Sequence, residues 1–104
     1  MTRTIAALLS LIFVAALANA ARAADEYDGK TLAERWCSAC HVVGPGQQHG
    51  STQAPPFSEL AKKPGLDAAS LALYLLLPHP RMPDMNLSRR EAAALAVYIK
   101  SQGK

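Results

Sequence analysis

The C-terminal end of the chain carries the clearest helical pattern. Four apolar residues recur at positions i, i+3, i+6 and i+7 and share one helical face: Ala92, Leu95, Tyr98 and Ile99. Just before them, Ser88 and Glu91 have the spacing of a capping box, with Ser88 as N-cap and Glu91 at position N3. We therefore predict a helix that begins after Ser88 and ends near Gly103.

Three segments upstream also favour helix. Residues 27–40 are mostly good helix formers and have acidic residues ahead of the first turn. Residues 57–62 can form a short helix that stops at a Pro-Gly step. Asp67 is the expected N-cap of a third helix, which runs through Leu77 because helical conformation is disfavoured for the residue before Pro78.

The remaining sequence patterns agree with an all-α fold. Residues 71–77 are apolar on every side of the third helix, which predicts burial on most sides. Residues 44–56 contain too many glycines and prolines for regular structure, so they predict a loop with an exposed His49. The sequence has no strand pattern, no internal repeat and no linker long enough for a second domain.

The first 23 residues predict a secretory signal peptide. Arg3 supplies positive charge, residues 5–18 are almost uninterruptedly apolar, and Ala18-Asn19-Ala20 or Ala21-Arg22-Ala23 offers a small-x-small cleavage site. The apolar run is shorter than the roughly 20 residues that span a bilayer as a helix. We therefore predict a leader over 1–23 and one domain over 24–104 in the periplasm, with an uncleaved membrane anchor as the alternative.

Removal of this leader changes the charge of the protein. The whole chain has 11 basic and 8 acidic residues and a formal net charge of +3. All the acids follow residue 23, whereas Arg3 and Arg22 lie in the leader, so the predicted domain is nearly neutral. Its charge therefore gives no reason to expect a nucleic-acid partner.

The candidate chemistry lies in Cys37-Ser38-Ala39-Cys40-His41. Cys37, Cys40 and His41 are at positions i, i+3 and i+4, so one helical turn directs all three side chains to the same side. Two thiols at this spacing can form thioether bonds to one porphyrin while the imidazole reaches the iron. The motif predicts one covalently attached haem, and Trp36 beside it is expected in the core or against the haem.

Three other uses of the paired cysteines fit less well. A thioredoxin-like redox pair normally starts a helix after a strand, and no strand is predicted there. A zinc site needs four ligands, but the chain has two cysteines, and His49 and His79 lie in segments rich in proline or glycine. A structural disulfide is chemically possible, but it explains neither His41 nor the methionines downstream.

A second iron ligand is expected between the two C-terminal helices. Residues 78–85 contain three prolines, which exclude regular helix and restrict the backbone around Met82. A methionine thioether is a soft, neutral ligand that raises the reduction potential of a haem. Met82 is the favoured ligand, whereas Met85 is expected to pack under the last helix as part of a hydrophobic staple. The alternatives are Met85 or His79 as the ligand, or methionines that fill gaps in the core.

Together these features resemble the class I c-type cytochromes, the small bacterial periplasmic kind, over essentially the whole of residues 24–104. The resemblance is carried by Cys37-Ser38-Ala39-Cys40-His41, Ala54-Pro55-Pro56-Phe57, Met82-Pro83 followed by Leu87-Ser88 and Glu91, and Leu95-Ala96-Val97-Tyr98-Ile99. It implies the small, all-α cytochrome c fold, in which the first and last helices cross near Gly29, Leu95 and Tyr98 and the short helices and loops surround one haem c. It also implies that His41 is the proximal ligand and Met82 the distal ligand. The carbonyl oxygen of Pro55 would then accept a hydrogen bond from the other nitrogen of the His41 ring.

The function that follows from this resemblance is electron transfer, not enzymatic catalysis. An iron with both axial positions filled has no site for a substrate, and the expected partners are redox proteins: a dehydrogenase as donor and an oxidase or reductase as acceptor. One alternative is a haem enzyme or small-molecule-binding protein with a labile distal ligand. Another is a tightly bound cytochrome subunit of a periplasmic dehydrogenase. The expected state is therefore a monomer or a subunit of a redox complex, without stable membrane insertion after the leader is cleaved.

Overall fold

The computed structural model describes residues 29–77 and 81–104. Within these two ranges it contains four helices: α1 is described over 29–36, α2 is Phe57–Lys62, α3 is Ala68–Leu76 and α4 is Arg89–Ser101. Apart from a single bridging residue at Met82, these two ranges contain no extended β-structure, so the predicted all-α class is confirmed. The predicted leader and His79 lie outside the described residues.

α4 is the helix against which the others pack, and its start is fixed by side chains. The Ser88 Oγ accepts a hydrogen bond from the Glu91 N–H at 3.2 Å, and a Glu91 carboxylate oxygen accepts one from the Ser88 N–H at 2.8 Å. The predicted capping box is therefore confirmed, and the bond from the Ser88 N–H lowers the pKa of Glu91. The four predicted face residues are all buried: Ala92, Leu95, Tyr98 and Ile99.

α1 crosses α4 at Gly29, where no side chain fits. A Cβ atom on Gly29 would lie 3.0 Å from the Cβ of Tyr98 and closer still to the carbonyl oxygen of Ala94. Only glycine lets the two backbones approach this closely. The crossing of the first and last helices near Gly29 and Tyr98 is therefore confirmed.

α2 has the predicted bounds and packs near the C-terminal end of α4. The Lys100 ammonium donates a hydrogen bond to the carbonyl oxygen of Ala61 at 2.6 Å. This contact places a positive charge at the negative end of the α2 dipole. A Cβ on Gly103 would lie 2.9 Å from the Cβ of Ala61, so the chain after α4 also passes close to α2.

α3 packs against α4 but leaves much apolar surface uncovered. The Asp67 carboxylate accepts a hydrogen bond from the Ser70 N–H at 2.7 Å, which confirms the predicted N-cap and lowers the pKa of Asp67. Leu71 is buried, but three other large side chains are about half exposed or more: Leu73 at 60%, Tyr74 at 51% and Leu77 at 54%. The predicted burial on most sides is wrong for the polypeptide alone, because a neighbouring helix covers one side of α3.

The core joins residues from all four helices and the first loop. Its buried members are Ala33, Cys37, Val43, Phe57, Leu71, Leu95, Ala96, Tyr98 and Ile99. Leu87, directly before the Ser88 cap, packs against this core and takes the staple position that the sequence suggested for Met85. Trp36 is not a core residue: it is 45% exposed, with the Arg35 guanidinium 5.2 Å from its ring centroid. It lies at the edge of the α1 face that buries Gly29 and Ala33.

Candidate functional site

The cysteine turn, residues 37–41, follows α1 instead of forming its last turn. The sequence predicted helix through residue 40, but α1 ends at residue 36. The Ser38 N–H donates to the carbonyl oxygen of Ala33, five residues back, at 3.1 Å, and the Ser38 hydroxyl donates to the Glu34 carbonyl. These bonds replace the regular helical pattern. The turn then closes on Cys37, whose carbonyl oxygen accepts from the His41 N–H at 2.8 Å.

The two thiols of this turn have different environments and are not bonded to each other. Cys37 is buried in the core, and loss of solvent raises the pKa of its thiol to about 11. Cys40 is exposed. A thioredoxin-like pair depends on a thiol with a lowered pKa, whereas the pKa of the Cys37 thiol is raised. One thiol on the core and one at the surface suit attachment of a group that lies between the interior and solvent.

The His41 ring is oriented by a single strong contact. Its Nδ1 atom lies 2.6 Å from the carbonyl oxygen of Pro55, and since a carbonyl can only accept, Nδ1 carries the hydrogen. The ring also packs against Phe57, with centroids 5.4 Å apart. In the neutral imidazole the other nitrogen, Nε2, then has a free lone pair and can bind a metal. The contact with Pro55 that the resemblance implied is present; its effect on an iron ligand stays a prediction.

The loop after the turn is irregular, as predicted, but it is closely bound to the turn. The Ser51 N–H donates to the Cys40 carbonyl oxygen at 2.7 Å, and the Phe57 N–H donates to the Val42 carbonyl oxygen at 2.9 Å. A Cβ on Gly50 would lie 2.8 Å from the Cys40 carbonyl oxygen, so this glycine allows the loop to approach. His49 is exposed, as expected.

Gln47 is a residue of this site that the sequence did not reveal. Its Nε2 atom lies 2.9 Å from the Ser38 carbonyl oxygen, 2.7 Å from that of His41 and 3.0 Å from that of His49. Its Oε1 atom accepts a hydrogen bond from the Val43 N–H at 3.0 Å. In the sequence Gln47 stands beside Gln48, and no local pattern distinguishes the two.

Tyr98 connects the site to α4. Its hydroxyl donates to the carbonyl oxygen of Val43 at 2.9 Å, and its ring meets Phe57 edge-on with centroids 6.4 Å apart. Burial, with a smaller effect from the charge of Glu34, raises the pKa of Tyr98, so the phenol stays protonated and can donate. His41, Phe57 and Tyr98 therefore form a continuous row of rings from the turn to the core.

Met82 and Met85 lie in a non-helical segment ahead of α4, and both are partly buried. Around Met85, the Asn86 N–H donates to an Asp84 carboxylate oxygen at 2.8 Å, and Asn86 has a positive φ of 51°. This is a local turn closed by an aspartate side chain. Neither methionine belongs to the core cluster of the described residues, which weakens the alternative of gap-filling core residues.

The residues of the site have the chemistry that a covalently attached haem requires. The cysteine turn brings two free thiols and one oriented imidazole within five residues. α3 also exposes large apolar side chains, which are of the kind that pack against a porphyrin. The described residues contain no group of three or more His, Cys, Asp or Glu side chains able to hold a metal ion.

Comparison with known proteins identifies the family. The chain is 45% identical over 91 residues to cytochrome c-552 of Bradyrhizobium diazoefficiens, an alignment that covers 88% of each chain. No family model matches the chain. No solved structure matches it either. Identity at this level over most of both proteins shows common membership: the chain belongs to the class I c-type cytochromes, electron carriers rather than enzymes, which bind haem c covalently.

Proposed function

We propose that this protein carries single electrons between periplasmic redox proteins through one haem c, with His41 and Met82 as the two axial ligands of the iron. The observation that carries the proposal is the hydrogen bond from His41 Nδ1 to the Pro55 carbonyl oxygen at 2.6 Å. It fixes the ring and keeps Nε2 as the ligand atom. A carbonyl acceptor also increases the basicity of a ligating histidine and so tunes the metal.

Cys37 and Cys40 are the proposed points of covalent attachment. The turn that closes on the Cys37 carbonyl oxygen keeps the two thiols and the His41 imidazole close together. Cys37 is part of the buried core, so a thioether there would anchor the cofactor to that core. Haem supplies the one-electron chemistry of ferric and ferrous iron, and the polypeptide supplies binding, orientation and electrostatics.

Met82 is the proposed distal ligand. Its place directly before Pro83 restricts its backbone, and a thioether raises the reduction potential of the iron relative to harder ligands. With both axial positions filled by the protein, the metal has no position for a substrate. The exposed apolar side chains of α3 and of the residue that follows it, such as Leu73 and Leu77, are proposed to pack against the porphyrin.

The absorption spectrum of the protein from a host with haem-attachment machinery tests this ligand set. Ligation by His41 and Met82 should give a low-spin c-type spectrum with the weak far-red band of an iron–sulfur bond. A high-spin spectrum would contradict six-coordinate ligation. A low-spin spectrum without the far-red band would retain haem attachment but exclude methionine as the ligand.

We also propose that residues 1–23 are a cleaved signal peptide and that 24–104 is the cytochrome domain in the periplasm. The support is the basic start, apolar run and small-x-small steps of the leader. Within the described ranges, no helix is both long and apolar enough to cross a membrane. Mass spectrometry of the exported protein should find an N-terminus between Ala21 and Asp25. Intact Met1 in the membrane fraction would instead show an anchored cytochrome.

The proposed partners are a dehydrogenase as electron donor and an oxidase or reductase as acceptor. A free carrier meets each of them briefly, whereas a dedicated subunit stays with one. Size-exclusion chromatography of the native protein separates these two cases. We expect the haem absorbance to elute at the volume of a monomer of about eighty residues, a chain length within the range of single small domains.

A further inference from the structure

We propose that Gln47 is a positioning residue for the iron ligand His41, and that it acts through the backbone of the cysteine turn. This inference rests on the proposed ligation by His41. Gln47 lies in the loop six positions after His41, and we assign to it control over the position of the imidazole. Gln47 itself makes no proposed contact with the haem.

The Gln47 side-chain amide joins both ends of the cysteine turn. Its Nε2 atom donates to the carbonyl oxygens of Ser38 and His41, at 2.9 Å and 2.7 Å. Its Oε1 atom accepts from the Val43 N–H at 3.0 Å. One planar group therefore fixes three backbone atoms that flank the ligand, and it does so from a partly buried position where lost hydrogen bonds are costly.

His41 is consequently held at two separate points. The Pro55 carbonyl fixes the rotation of its ring, while Gln47 fixes the peptide that carries the ring. Val43 extends this restraint, because its N–H is bound by Gln47 and its carbonyl oxygen accepts from the Tyr98 hydroxyl of α4. The position of the imidazole is thus connected to the core through Gln47 and Tyr98.

Other contacts keep the turn folded without Gln47. The His41 N–H donates to the Cys37 carbonyl oxygen, and the Ser51 N–H donates to the Cys40 carbonyl oxygen, with no part played by the Gln47 side chain. A Gln47 variant should therefore keep the turn and attach haem. What should change is the exact placement of the His41 peptide, and with it the orientation of the imidazole plane over the iron.

The experiment compares Gln47→Leu and Gln47→Glu with Gln48→Leu in the holoprotein. Gln48 is the matched control, because it is the adjacent glutamine and its side chain is exposed. Gln47→Glu keeps an acceptor for the Val43 N–H but replaces the donor that faces the carbonyl oxygens. The readouts are the reduction potential and the NMR shifts of the haem methyl groups in the ferric state, which depend on the orientation of the imidazole plane.

We expect both Gln47 variants to shift the reduction potential and to alter the pattern of haem-methyl shifts, while Gln48→Leu leaves both unchanged. A lower melting temperature with an unchanged methyl pattern and potential would assign Gln47 a structural role alone and overturn the proposal. Failure of the His41 assignment is distinguishable, since it would appear in the wild-type spectrum before any Gln47 variant is made.

Amide exchange in the wild-type holoprotein provides a second test that needs no variant. The Val43 backbone N–H should be strongly protected from exchange because it is bound to Gln47 Oε1. The backbone N–H of the exposed Gln48 should exchange fast. If the Gln47 variants cannot be produced, the difference in exchange rate between Val43 and Gln48 tests the proposal in their place. Equal, fast exchange of the Val43 and Gln48 backbone amides would show that the hydrogen bond from Val43 to Gln47 is not formed, and it would overturn the proposal.

Discussion

Two methionines compete for the role of second iron ligand, and their local backbones differ. Met82 directly precedes Pro83, whose ring restricts its conformation, so less entropy is lost when the thioether binds. Met85 lies inside the turn that is closed when the Asn86 N–H donates to the Asp84 carboxylate. We expect Met82→Ala to abolish the far-red absorption band and to lower the reduction potential, since the thioether ligand raises it.

Met85→Leu is the matched variant, because it nearly conserves side-chain volume while it removes the thioether. It should leave both the band and the potential nearly intact. Absorption spectra and redox titrations of the two holoproteins decide between them. Loss of the band in Met85→Leu alone would make Met85 the ligand. A band unchanged in both variants would show that neither methionine provides the sulfur.

At the scale of single residues, the sequence identifies a functional group when its members have a distinctive spacing along the chain. The motif from Cys37 to His41 is recognisable because two thiols and an imidazole at i, i+3 and i+4 suit one porphyrin. Gln47 could not be recognised, because its role depends on the carbonyl oxygens that the folded loop brings to it. Its neighbour Gln48 has the same side chain and is exposed.

At the scale of helices, the contact most sensitive to substitution is the crossing of α1 and α4. In an isolated helix Gly29→Ala would be favourable by about 0.5–1 kcal/mol, because glycine loses more backbone entropy on folding. Here the added Cβ would meet the Ala94 carbonyl and lie 3.0 Å from the Tyr98 Cβ. Because such overpacking costs about 1–3 kcal/mol, we expect a net loss in the free energy of unfolding, measured by chemical denaturation.

Thr31→Ala is the control for this crossing, since Thr31 is exposed on the same helix. It should change the free energy of unfolding by less than Gly29→Ala and in the stabilising direction, because alanine has the higher helix propensity. If Gly29→Ala also stabilises the protein, the two helices do not approach as closely as described.

The helix ends show when sequence predicts structure and when it does not. α3 and α4 begin where Asp67 and Ser88 predict, because a side chain that caps a helix binds backbone atoms only a few residues away. The end of α1 was predicted four residues too late. Ser38 has an acceptable helix propensity, but its hydroxyl binds the Glu34 carbonyl and its N–H reaches back to Ala33. Helix propensity does not account for such local hydrogen bonds, which compete with the regular helical ones.

At the scale of the whole molecule, the polypeptide has a core that is small for the apolar surface it exposes. Among the described residues, the largest side chains that are fully buried are those of Leu95 and Ile99. Leu73 of α3 and Leu77, directly after this helix, are meanwhile more than half exposed. Domains of this size bury a smaller fraction of their surface than larger proteins, so they commonly need a metal, a disulfide or a cofactor for stability. This family binds haem c covalently, and we expect the haem to supply this stabilisation.

Folding of the domain should therefore depend on haem. We expect the double variant Cys37→Ala with Cys40→Ala, exported and purified without haem, to lose cooperative thermal unfolding in far-UV circular dichroism. A cofactor that packs into the folded state better than into the unfolded chain stabilises the fold, and covalent attachment raises its effective concentration at the site. Ala39→Ser is the control, because Ala39 is exposed between the two cysteines and its replacement leaves both thiols in place. A cooperative transition in the haem-free double variant would show that the helices around α4 form a sufficient core by themselves.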